Sequence, residues 1–127
     1  MSGTVLIVED NAMNMKLLEQ ALGVVGYRTV GSPDGEGLVE MAVECGAGLV
    51  LMDIQLPRWS GVDLLKLLRG DPRTRHLPVM AVTAYADAAS IAEFLGHGFD
   101  QVITKPISIR HLLDEVAARC RSPEGEE

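Results

Sequence analysis

An α/β fold, with a parallel sheet covered by helices on both faces, is predicted by three features of the sequence. Five short apolar runs alternate with five helix-patterned stretches along the 127 residues. No linker or solenoid-length repeat interrupts the alternation, so residues 1–121 read as one domain with a short acidic tail at 122–127. The third run, Gly48-Leu49-Val50-Leu51-Met52, is rich in Leu and Val and therefore suits a strand buried on both faces. Strands separated by helices need crossover connections, and these generate a parallel sheet sandwiched between helix layers.

The elements follow in order. Thr4-Val5-Leu6-Ile7-Val8 is a buried strand ending in Glu9-Asp10-Asn11. Met13, Leu17, Leu18, Ala21, Leu22 and Val25 then recur at three- and four-residue spacing, the signature of one helical face, and Gly26 ends the helix. Arg28-Thr29-Val30 is a short strand. Ser32-Pro33-Asp34-Gly35 is a turn leading to a helix from Gly37 to Cys45 with Leu38, Val39, Ala42 and Val43 inward. After the central strand, Leu56-Pro57 forces a loop, because Pro57 fixes its own backbone angle and biases its predecessor towards an extended one. Ser60 and Asp63 have capping-box spacing, and Val62, Leu64, Leu65, Leu67 and Leu68 form the inward side of the third helix. Val79 to Thr83 is a fourth strand and Asp87 to Leu95 a short Ala-rich helix. Phe99 to Thr104 is the last strand. Ser108 caps a final helix with Ile109, Leu112, Leu113, Val116 and Ala117 inward.

Composition narrows the function. Apolar residues make up 47% and aromatic ones only 4%, so the core is aliphatic. A net charge of −7 argues against nonspecific binding to nucleic acid or an anionic membrane and suits a cationic ligand such as a metal ion. The isolated Cys45 and Cys120 form neither a disulfide framework nor a zinc motif, which fits a reducing cytoplasm. The first residues lack a signal pattern, and no apolar run is long enough to span a bilayer.

The chemistry gathers at the strand ends. Glu9 and Asp10 follow the first strand, Asp53 the third, Thr83 the fourth and Lys105 the fifth. In a parallel sheet these ends share one edge, where ligands of open sheets bind. Carboxylates drawn together there repel, and a divalent cation relieves the repulsion. Mg²⁺ takes oxygen ligands and keeps several waters, whereas zinc and copper would want His or Cys, which these ends lack. With such a metal, the Asp53 carboxylate suits in-line attack on a phosphoryl group. Lys105 supplies a point cation and Thr83 a hydroxyl. A cis bond at Lys105–Pro106 is expected to aim the lysine inward.

Val8-Glu9-Asp10-Asn11, Met52-Asp53-Ile54-Gln55-Leu56-Pro57 with Ser60-Gly61, Val82-Thr83-Ala84 and Lys105-Pro106 together resemble the receiver domain of bacterial two-component response regulators. The likeness covers about residues 4 to 120, and its finer motifs are similar to a single-domain cell-division member of that family. It implies a doubly wound, flavodoxin-like sheet of order 2-1-3-4-5. It implies that Asp53 accepts a phosphoryl group from a histidine kinase or phosphotransfer protein. Glu9, Asp10, Asp53 and the backbone carbonyl of Gln55 would hold Mg²⁺. Thr83, the backbone amide of Ala84, and Lys105 would receive the phosphoryl oxygens. The output would be altered binding of a downstream protein by a monomer or weak dimer, through the fourth and fifth helices and the strand between them. No nucleic acid, membrane or small-molecule turnover is expected. One departure stands out. Val102 occupies the place, three residues before the lysine, where the family usually has Tyr or Phe. The expected response is therefore a weakened shift of the fourth helix and its flanking loop.

Rival readings differ at single residues. A receiver excised from a hybrid histidine kinase carries similar motifs. A phosphatase of the haloacid-dehalogenase type wants a second Asp two residues after its nucleophile, where this chain has Gln55. A flavodoxin-like cofactor binder needs a phosphate-cradling loop after the first strand, where Glu9 and Asp10 would repel phosphate. Elsewhere plain structural roles are expected. His76, His97 and His111 read as surface or helix-end residues, and Met13, Met15, Met41 and Met80 as core gap-fillers. Asp114-Glu115 reads as a solvated face. Trp59 either packs over the loop after Asp53 or meets a partner.

Overall fold

A computed structural model describes residues 3–121; the acidic tail at 122–127 lies outside the described residues. Strand and helix alternate throughout: β1 (Thr4–Val8), α1 (Ala12–Val24), β2 (Arg28–Ser32), α2 (Leu38–Cys45), β3 (Leu49–Asp53), α3 (Gly61–Gly70), β4 (Val79–Thr83), α4 (Ala88–His97), β5 (Gln101–Thr104) and α5 (Ile109–Arg119). All strand pairs are parallel, in the order β2-β1-β3-β4-β5. This is the expected doubly wound arrangement.

Strand alternation divides the core into two. Leu6, Val8, Val50, Met52, Val79, Ala81 and Val102 face one side, packing on Leu38 and Ala42 of α2, Leu64, Leu65 and Leu68 of α3, and Phe94 of α4. Val5, Ile7, Leu49, Leu51, Met80, Val82 and Ile103 face the other, against Leu18 and Leu22 of α1 and Leu112 and Val116 of α5. The chain steps from β1 to β2 in one direction, then from β3 onward in the other. That reversal puts α1 opposite α2, α3 and α4, and makes the gap between β1 and β3 the switch point of the sheet.

Local chemistry sets the boundaries. The side chains of Asn11, Ser60, Asp87 and Ser108 accept the backbone N–H three residues on, capping α1, α3, α4 and α5. Gly46 ends α2 in a left-handed conformation that its lack of a Cβ permits. Beneath the sheet, Arg69 ties distant segments together. Its guanidinium donates to the carbonyls of Arg75, Leu77 and Gly98 and to the Asp100 carboxylate.

Several expectations need correction. Met13 and Leu17 are 81% and 51% exposed, so α1 packs through Leu18 and Leu22, with Met15 and the capping Val25 leaning on the same core. Met13 is not a core filler, whereas Met80 is buried and Met41 packs against the core. Val43, Leu67 and Ala117 are likewise exposed, because each lies at the margin of a stripe whose centre is set by the facing sheet. Ser32, read as a turn residue, closes β2 and is buried, with its hydroxyl accepting the Gly35 N–H. β5 starts at Gln101, two residues later than expected, after Phe99 turns into the core to meet Phe94 edge-on.

Candidate functional site

Parallel strands of similar length deliver their carboxyl ends to one edge, and the polar residues collect there. Glu9 leaves β1 with its backbone N–H donating to Ser32 of β2, and its side chain is buried. Asp10 beside it is exposed. Asp53 closes β3 and is buried at 3% exposure. One carboxylate oxygen from each of the three lies within 4.8 Å of the others. Lys105 follows β5, and its backbone N–H donates to the Thr83 carbonyl, which joins the ends of β4 and β5. Its ammonium reaches the Asp53 Oδ2 at 3.1 Å. The Lys105–Pro106 bond is cis, as expected.

Burial pushes the Glu9 carboxyl above its ordinary range, and the charges of Asp53 and Asp10 push the same way. The Asn11 backbone N–H, donating to Glu9 Oε2 at 3.1 Å, and the Lys105 charge pull it back in part. A carboxylate raised in this way gains by meeting a cation. The donor set is all oxygen, and the geometry brings three carboxylates together with room on the exposed Asp10 side, so the residues fit a hard divalent ion.

The walls of the site are two loops. After Asp53, the backbone N–H of Gln55 folds back to donate to Asp53 Oδ1 at 2.9 Å, and Gln55 bridges Ser60. Gly61 returns against the same strand end, its N–H donating to the Ile54 carbonyl at 2.8 Å. A Cβ on Gly61 would lie 2.9 Å from the Asp53 carbonyl oxygen, so the loop closes only with glycine there. After β4, the Tyr85 N–H donates to Thr83 Oγ1 at 3.0 Å. Thr83 is fully buried, and Ala84 stands exposed beside it. Each expected site residue thus lies at this one edge. A cleft of about 610 Å³ adjoins it, touching Glu9 and Asp10 and walled by Met13, Met15 and Gly31.

Two features escaped the sequence reading. The Gln55 side-chain amide donates to the Tyr85 hydroxyl at 3.2 Å, linking the two loops. Asn11 serves both as the cap of α1 and as a donor to Glu9; an Asn directly before a helical pattern was the available signal. Trp59 packs partly against the core, with the Arg58 guanidinium 4.8 Å from its ring centre. His97 ends α4, His76 and His111 are exposed, and no helix among the described residues is long and apolar enough to cross a membrane.

Comparison with known proteins adds a family. The response regulator receiver domain matches residues 5–117. The polar-differentiation response regulator DivK of Brucella ovis is 39% identical over 116 residues, covering 91% of this chain and 94% of that protein. Among solved structures, the receiver domain of a signal transduction histidine kinase from Syntrophus aciditrophicus is 30% identical, with a TM-score of 0.82, covering 91% of this chain and 88% of that one. The receiver domain of a sensor histidine kinase from Pseudomonas aeruginosa, with a magnesium ion coordinated in its active-site cleft, is 28% identical. Its TM-score is 0.83, covering 94% of this chain and 98% of that one.

Proposed function

This chain belongs to the response regulator receiver family, and we propose that it is a phosphoacceptor switch whose acceptor is Asp53. The observation that carries this reading is the 3.1 Å contact of Lys105 with Asp53 beside a three-carboxylate cluster. A buried carboxylate flanked by one cation and two further acids suits charge-neutralised attack on phosphorus.

Glu9, Asp10, Asp53 and the Gln55 backbone carbonyl would hold Mg²⁺, which when bound neutralises the charge of an incoming phosphoryl group and orients it. An Asp53 carboxylate oxygen forms the new bond to phosphorus as the bond to the imidazole nitrogen of the phosphohistidine donor breaks. The product is an acyl phosphate, and the donor keeps its histidine. Lys105 moves from the carboxylate to a phosphoryl oxygen. The Thr83 hydroxyl already accepts the Tyr85 N–H, so its own proton is available for another phosphoryl oxygen, with the Ala84 amide alongside. Gln55 in place of a second Asp disfavours turnover of small phosphate esters.

The donor is a histidine kinase or histidine phosphotransfer protein, and the readout is altered binding of a protein target. Cytoplasmic residence fits the two free thiols, Cys45 and Cys120. Val102 is buried in β5 and carries no ring to swing towards Thr83. The response therefore travels through the loop after Thr83 and α4, as a modest population shift. Transfer of a labelled phosphoryl group from a phosphorylated histidine phosphotransfer protein tests the acceptor: wild type takes the label and Asp53→Asn takes none. Labelling of that variant would refute the assignment. In NMR, beryllofluoride should move signals within residues 84 to 102, and an unchanged spectrum there would refute the route.

A further inference from the structure

We propose that Tyr85 is a positioning residue for metal binding, holding the Gln55 segment in place across the mouth of the site. The inference rests on the functional reading above and goes beyond it. Gln55 is fixed at both ends: its backbone N–H donates to Asp53 Oδ1 at 2.9 Å, and its side-chain amide donates to the Tyr85 hydroxyl at 3.2 Å. Tyr85 is itself fixed by its N–H on Thr83 Oγ1 at 3.0 Å. A chain of three hydrogen bonds therefore runs from Asp53 through Gln55 and Tyr85 to Thr83. It joins the loop after β3 to the loop after β4, thirty residues apart.

The Gln55 carbonyl is a useful oxygen ligand only if its peptide plane is held. Holding it from the neighbouring loop lowers the ordering needed when the ion binds. Tyr85 is 49% exposed, so its hydroxyl adds little to the core, and that hydroxyl accepts the Gln55 side-chain amide. Removing the hydroxyl should therefore act on the ligand segment rather than on the fold.

The test is an MgCl₂ titration of the whole chain, read by fluorescence of Trp59, the single tryptophan, which lies between Gln55 and Ser60. Calorimetry provides an independent readout. Losing one such hydrogen bond should raise the Mg²⁺ dissociation constant of Tyr85→Phe by about threefold to tenfold. Gln55→Leu should match it, and the double variant should lose no more than either single one. The urea midpoint without metal should not move. Wild-type affinity in Tyr85→Phe, additive losses in the double variant, or a midpoint shift that accounts for the loss would each overturn the role of Tyr85. If wild type itself binds no Mg²⁺ at millimolar concentration, the functional reading falls and this inference with it; that outcome is distinct, since it appears before any substitution.

Discussion

Replacing Glu9 by Gln separates the cost of the acid cluster from its use. Glu9 is buried, and one of its oxygens lies within 4.8 Å of an oxygen of Asp53. Two unit charges at that distance repel by about 3.5 kcal/mol at an effective dielectric of ~20. Lys105 and the Asn11 N–H offset part of this, while Asp10 is exposed and adds a screened share. Gln keeps the shape, and its amide oxygen still accepts from Asn11. Without metal, Glu9→Gln should therefore be more stable than wild type by about 1–2 kcal/mol at neutral pH. The sign follows from linkage. A raised folded-state pKa weakens the native state above the unfolded value of 4.5 and stops doing so below it, so the two chains should converge as pH falls to that value. With Mg²⁺ at about 100 times its dissociation constant, wild type should gain about 2.7 kcal/mol and the variant much less. Urea unfolding followed by far-UV circular dichroism, in EDTA and in MgCl₂, measures all of this. A variant less stable than wild type in EDTA, or equally stabilised by Mg²⁺, would refute the reasoning.

Other perturbations address the frame around the site. Leu65→Ala empties a fully buried position between α3 and the sheet and should lower the unfolding free energy by about 2–5 kcal/mol; a urea midpoint near wild type would contradict that packing. Asp87 caps α4 through the Ser90 N–H, and that bond holds its carboxyl below the usual value of 3.8. Its contribution is present above that value and fades as pH falls through the lowered one. Protection of the first-turn amides of α4, taken relative to their intrinsic exchange rates, should then fall in wild type but not in Asp87→Asn; equal protection in both would remove the cap from the account. Burial pushes the Cys120 thiol up to about 11 from 9.0. At pH 8, iodoacetamide should label it about 100-fold more slowly in the native chain than in urea, and equal rates would place it at the surface.

Why the site was readable while some of its surroundings were not has a physical basis. Glu9, Asp53, Thr83 and Lys105 could be assembled on paper because a parallel sheet carries every strand's carboxyl end to one edge, whatever the packing. Burial on α1 could not be read as well. Periodicity marks an apolar stripe from Met13 to Val25, but its centre depends on the core it meets, where Val5 and Ile7 of β1 and Leu112 and Val116 of α5 gather Leu18 and Leu22 while Met13 stays in solvent. Contacts between residues far apart in sequence leave no local trace. The bond from Gln55 to Tyr85 and the bonds from Arg69 to Gly98 and Asp100 depend on loops that only the complete fold brings together.

The central claim is that Asp53 accepts a phosphoryl group with metal held by its acidic neighbours. Intact mass after incubation with acetyl phosphate and Mg²⁺ tests it most directly, with Asp53→Asn and an EDTA arm alongside. The account predicts one phosphoryl group on wild type with metal and none in either control. Equal modification of Asp53→Asn, or undiminished modification of wild type in EDTA, would contradict it.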